Sequence, residues 1–196
     1  DVIGKAAHAS WPHLGVNAAV EAARFVAQLD SVPLGEHPRI KPSQAVLTIR
    51  SGPEKYESIV VPESAQVLIN WHTVPGESDR DVIARLQEVV GRLESPATFT
   101  FSIDPPYYPA WETEIGAPIE RAFASSYSAE AGRDPDYRYA GYGDMNLFSS
   151  EAGIPTVMFG PKGGRFHEAE EWVDLPSVAA TIRVLLRFAC SLLPSN

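Results

Sequence analysis

The sequence predicts an α/β protein in two parts, a split β-α-β layout followed by part of a parallel, doubly wound sheet. Three observations predict it. Alternating apolar runs and two amphipathic stretches follow one another as β-α-β-β-α-β, with one short extra run. Asp104-Pro105-Pro106-Tyr107-Tyr108-Pro109 then forms a stiff, proline-rich linker and domain edge. Beyond it, helical and short apolar runs alternate, the rhythm of helices laid over a parallel sheet. The expected division is 1–108 and 109–196.

In the first part, Val2 to Ala7 reads as a strand end. Asn17 to Leu29 carries Ala18, Ala22, Phe25, Val26 and Leu29 at helical spacing. Pro33 to Pro42 is a loop. Ala45 to Ser51 is a β-rich run stopped by Gly52-Pro53, and Ile59-Val60-Val61 is a shorter one stopped by Pro62. Ala65 to Val74 alternates through Val67, Ile69 and Trp71 as a strand, closed by Pro75-Gly76. Ser78 or Asp79 caps a helix from near Arg80 to Leu93. Ala97 to Ile103 alternates again as a strand. In the second part, helices are expected near Ile115–Glu130, Met145–Glu151 and Val178–Leu193, and strands near Tyr137–Ala140 and Thr156–Phe159.

The chain has 196 residues, 44% apolar and 21% charged, a globular composition with material for a real core. A net charge of −9 argues against nucleic acid as a partner, since binding it needs a basic face to displace phosphate counterions. The lone cysteine, Cys190, lies in an apolar helical run and reads as a small core residue. The chain cannot form an internal disulfide, which suits a reducing, cytoplasmic setting. No apolar run approaches the ~18 residues of a membrane span. There is no signal peptide and no initiator methionine, and Asp1-Val2-Ile3-Gly4 reads as the tail of a strand, so the start is expected to be a cut within a longer protein.

Four segments can carry chemistry. In Gly4 to Ala18, His8 follows a strand in a loop shaped by Pro12 and Gly15, where an imidazole can donate to a developing oxyanion or simply sit at the surface. In Ile69 to Glu77, His72 ends a strand, either to bind a substrate anion or as an ordinary strand-end residue. In Ala140 to Asn146, Gly143 and Asp144 stand at a strand-to-helix junction; Asp144 is either a helix cap or an acid brought close to a ligand. Finally, Ile154 to Phe159 leads into Gly160-Pro161-Lys162-Gly163-Gly164-Arg165-Phe166-His167, a loop that can aim one imidazole at a metal or belong to a solvated, charged surface with Glu168, Glu170 and Glu171.

Together these segments resemble the zinc-dependent amidohydrolases and exopeptidases that include acetylornithine deacetylase, succinyl-diaminopimelate desuccinylase, aminoacylase-1 and bacterial glutamate carboxypeptidase. Gly4 to Ala18 matches every specified position of that family's Gly-x-x-x-His-x-Ser-x-Pro-x-x-Gly-x-Asn-Ala signature. Val61-Pro62-Glu63-Ser64-Ala65 is similar to the turn that follows it, and Val157 to Val173 to the closing signature. The resemblance implies a ferredoxin-like α+β lid, or dimerisation, domain over 1–108, then the C-terminal part of a doubly wound α/β zinc-hydrolase domain. It implies a di-zinc enzyme, with cobalt or manganese as alternative metals. Amide hydrolysis of an N-acyl amino acid or small peptide-like substrate would use metal-activated water. His167 would ligate one zinc, and His8 would steady the oxyanion in the partner subunit of a homodimer. Asn17, His72, Gly143 and Asp144 would bind substrate, and Glu171 would be a supporting acid. The family's remaining ligands and general base come from an amino-terminal half whose motifs are not in this sequence, so this piece alone is expected to be inactive.

Two departures stand out. Asn70-Trp71-His72 replaces the family's Asp-x-Arg, so the bidentate grip on a substrate carboxylate is lost. Tyr142-Gly143-Asp144 replaces Gly-Thr-Asp, and Trp71, Tyr142 and Phe166 hint at a more apolar substrate. A non-catalytic dimerisation or binding module, and a mononuclear site from His8, His72 and His167, are the alternatives.

Overall fold

The chain divides into two units, Asp1–Ala110 and Trp111–Asn196. The computed structural model describes residues 1–52, 59–138 and 141–193.

The strands of the first unit are β1 (Val2–Ile3), β2 (Ala7–His8), β3 (Ser43–Ser51), β4 (Val60–Val61), β5 (Ser64–His72) and β6 (Thr98–Phe99). Four of them make an antiparallel sheet in the order β3-β5-β1-β6. Helices α1 (Ala18–Val26) and α2 (Asp79–Leu93) pack on one face of it. Small residues set how closely α1 approaches: Ala18 and Ala22 lie fully buried against Val2 and Ala65. Val82, Leu86, Val89 and Leu93 form the matching stripe of α2 and meet Phe25, Leu29 and Val32, with Ile69, Trp71 and Phe99 beneath.

The second helix begins where the sequence places its cap, and the first is capped by Asn17, which the sequence pattern put inside the helix. The Asn17 carboxamide oxygen accepts from the Ala19 and Val20 amides at 3.0 and 3.2 Å. The Ser78 hydroxyl accepts from the Asp81 amide, while the Asp81 carboxylate accepts from the Ser78 amide at 2.8 Å, a closed capping box.

Two expected strands are shorter than their sequence pattern. The Val2–Ala7 run stops at Ile3; the chain then leaves the main sheet, and β2 pairs with β4 instead. The Ala97–Ile103 run shrinks to Thr98–Phe99 because, among the described residues, it pairs with β1 alone, which is two residues long. A ladder is no longer than the strand it pairs with. Pro53, expected to stop β3, lies outside the described residues.

The second unit contains α3 (Pro118–Ala131), α4 (Asp144–Ser150), α5 (Leu175–Ser191) and a small hairpin of β7 (Gly163–Gly164) and β8 (Trp172–Val173). Helices α3 and α5 meet through Phe123, whose ring centroid lies 5.1 Å from Phe159 and 5.8 Å from Phe188. The Tyr137 hydroxyl donates to the buried Glu120 carboxylate at 2.6 Å, whose other oxygen accepts from the Gly116 amide at 2.7 Å.

Several expectations fail here. Tyr137 and Arg138 belong to no strand, and Tyr139 and Ala140 lie outside the described residues. Residues 154–160 also form no strand. Apolar residues make a strand only beside a partner, and Thr156 exchanges hydrogen bonds with the Thr113 hydroxyl instead. Cys190 is exposed, not core. Apolar patterning over the 17 residues of α5 cannot show which stripe is covered; here Thr181, Val184 and Phe188 turn inward, and Cys190 falls off that stripe.

Candidate functional site

The loop bearing His8 is assembled by close backbone contact. A Cβ on Gly4 would lie 2.1 Å from the Val16 carbonyl oxygen, and one on Gly15 would lie 2.6 Å from that of Lys5. Only glycine at both places lets Lys5 and Val16 exchange backbone hydrogen bonds, at 2.9 and 2.8 Å. The Pro62–Glu63 turn clasps the same loop: Glu63 O accepts from the Gly4 amide at 2.8 Å and Pro62 O from the Ala18 amide at 2.9 Å. Pro12 opens a single 3₁₀ turn, Pro12–Leu14, whose closing bond runs from the Gly15 amide to Pro12 O.

His8 therefore stands exposed at the end of β2 on a braced loop. Its Nδ1 accepts from the Ser10 amide at 3.1 Å. A ring nitrogen that accepts carries no proton, so in the neutral ring the proton sits on Nε2 as a donor. The imidazole also lies 5.3 Å from the Trp11 ring centroid. Trp11 is not a candidate from the sequence; an aromatic between the motif's serine and proline was the available signal.

His72 closes β5 opposite Ser43 of β3, with Nδ1 3.1 Å from the serine hydroxyl. Desolvation of the half-buried ring holds its pKa below the usual imidazole value. Ser43 could not have been chosen from the sequence, because only strand register brings it to His72. Trp71, suggested above as a substrate-facing aromatic, instead packs on the core under the helices. Asn17 is committed to capping α1.

In the second unit the cap of α4 is Gly143, not Asp144. The Gly143 amide donates to the Asn146 carboxamide oxygen at 2.9 Å, and exposed Asp144 is the first helical residue. Tyr142 and Phe166 are exposed.

His167 lies between β7 and β8. The Asp174 amide donates to Lys162 O at 2.9 Å, and the Lys162 amide to the Ser177 hydroxyl at 2.9 Å, which ties the hairpin to the start of α5. Arg165 and His167 both have left-handed backbone, with φ of 57° and 65°. For non-glycine residues this conformation costs roughly 1 kcal/mol or more each. The exposed Arg165–Glu170 ion pair bridges the loop, but at such a surface contributes little. Among the described residues no three His, Cys, Asp or Glu side chains gather to hold a metal ion, so these residues by themselves do not fit a metal centre. No helix among them is long and apolar enough to cross a membrane.

Residues 1–98 match the family model described as the peptidase dimerisation domain of the M20 family. The chain therefore belongs to the M20 peptidase family. No curated protein matches the sequence. Among solved structures it is similar to the aminopeptidase PepT of Bacillus cereus, at 20% identity and a TM-score of 0.69, covering 97% of this chain and 49% of that one. A dipeptidase of Saccharomyces cerevisiae matches at 13% identity and a TM-score of 0.67, over 99% of this chain and 54% of the other. An M20 family metallo-carboxypeptidase of Sulfolobus solfataricus matches at 16% identity and a TM-score of 0.59, over 95% and 56%. The fold is thus that of a peptidase dimerisation domain over residues 1–98, followed by a segment whose fold these structures share. The chain spans about half the length of these structures.

Proposed function

We propose that this chain supplies the dimerisation lid and the C-terminal catalytic segment of a di-zinc amidohydrolase or exopeptidase. The proposed substrate is an N-acyl amino acid or small peptide. The observation that carries the reading is the state of His8: its Nδ1 accepts from the Ser10 amide, which leaves Nε2–H as the donor of the neutral ring on a braced, exposed strand end. That is a preorganised donor for an oxyanion. In a homodimer joined through 1–108, His8 would donate to an oxyanion in the partner's site.

His167 would give one imidazole to the metal centre, with the remaining ligands coming from sequence outside these 196 residues. Bound zinc supplies Lewis acidity and a nucleophilic water at neutral pH. His167 stands exposed in the loop between β7 and β8 with a left-handed backbone, a strained conformation of the kind that functional sites use. His72 would bind substrate, its half-buried neutral imidazole favouring an uncharged group over a carboxylate, and Gly143 and Asp144 are each proposed as substrate-binding residues in their own unit. Zinc, with cobalt or manganese as alternative metals, and a cytoplasmic setting complete the proposal.

The test uses the full-length protein. His167→Ala should lower bound zinc and abolish hydrolysis, and His8→Ala should lower kcat about 10²- to 10³-fold with zinc content intact. Full activity in His167→Ala would sink the assignment. A protein that dimerises but hydrolyses no N-acyl or peptide substrate would leave the chain as a binding module.

A further inference from the structure

We propose that Trp11 is a positioning residue that holds the His8 imidazole in its donating orientation. This rests on the reading of His8 as an oxyanion donor. The Ser10 amide fixes the tautomer of His8 through Nδ1. One hydrogen bond still leaves the ring free to swing about that contact. The indole removes this freedom: the two rings lie 5.3 Å apart at 47°, within the range of attractive tilted ring pairs.

Trp11 is itself restrained. Its amide donates to His8 O at 2.8 Å, and its carbonyl accepts from the Leu14 amide at 3.1 Å. Pro12, next in the chain, narrows its backbone choices, and it sits at φ −130°, ψ 58°. Its side chain is 58% exposed, so core burial does not account for a tryptophan here. Its ring contact with His8 does.

The experiment compares Trp11→Ala, Trp11→Phe, His8→Ala and the double variant Trp11→Ala/His8→Ala in the full-length enzyme. Kinetics are read alongside NMR relaxation of the His8 ring. Trp11→Ala should lower kcat about three- to tenfold with KM nearly unchanged, because orientation and not substrate affinity is lost. Trp11→Phe should restore most of it. Adding Trp11→Ala to His8→Ala should cost nothing further, and the His8 ring should become more mobile in Trp11→Ala. An equal loss in the His8→Ala background, or a His8 ring as rigid without the indole as with it, overturns the proposal. An unchanged kcat in His8→Ala overturns the reading of His8 itself, and the relaxation comparison then still decides whether Trp11 holds the ring.

Discussion

The carbonyl oxygen of Val16 occupies the space where a side chain on Gly4 would begin, 2.1 Å from the ideal Cβ position. The loop that presents His8 depends on this approach, because the Lys5–Val16 backbone pair closes only if the two segments touch.

Gly4→Ala should therefore force the segments apart and lower stability by roughly 2–4 kcal/mol. Gly91→Ala is the control. Gly91 lies inside α2 with open space around its Cβ position, so alanine should add about 0.5–1 kcal/mol. Urea unfolding of both variants checks the pair; equal effects would refute the close-contact account.

Glu21 links the two helices of the first unit. It is buried, accepts from Arg24 at 2.9 and 3.1 Å and from the Ser95 hydroxyl at 2.6 Å, while Arg24 also donates to Leu93 O at the end of α2. Glu21→Ala should cost about 1–2 kcal/mol, since it removes a buried acceptor shared by Arg24 and the half-buried Ser95 hydroxyl. Ser95→Ala should cost less. Denaturant midpoints of the two variants test the order.

The capping box at Ser78 should make α2 sensitive to acid. The Ser78 amide and hydroxyl hold the Asp81 carboxyl below its ordinary pKa. That contribution is complete above the ordinary carboxylate range and is lost as the pH falls through the lowered value. Ser78→Ala should cost about 1 kcal/mol near neutrality and flatten the acid limb of a stability–pH curve. An unchanged acid limb would count against the box.

His72 should remain neutral to lower pH than an ordinary histidine, because burial disfavours its charged form. Between its lowered value and the usual 6.5, the unfolded chain binds a proton that the folded chain refuses, so stability falls as the pH drops through that window. An NMR titration of the ring should show the low midpoint, and His72→Gln should remove that part of the pH dependence. A midpoint at or above the usual value contradicts it.

What the sequence by itself determined was mostly local. Ser78 caps α2 by a bond reaching three residues, so its role was readable from neighbours alone. The amphipathic stripes of α1 and α2 and the β-α-β-β-α-β order were readable for the same reason, as periodicity reports which face is buried. Family membership was legible because Gly4, His8, Pro12, Gly15 and Asn17 each answer a different local demand of one loop.

Tertiary structure decided what depends on a partner. The length of β6 was set by β1, and the Thr156–Phe159 run found no strand to pair with among the described residues. Ser43 reached His72 only through register. Cys190 was apolar by context yet exposed, because packing with α3 covers one stripe of α5 and the sequence marks more than one. A hydrogen bond within a turn is encoded by the residues that make it, whereas a ladder or a buried face needs a second segment whose position no local pattern contains.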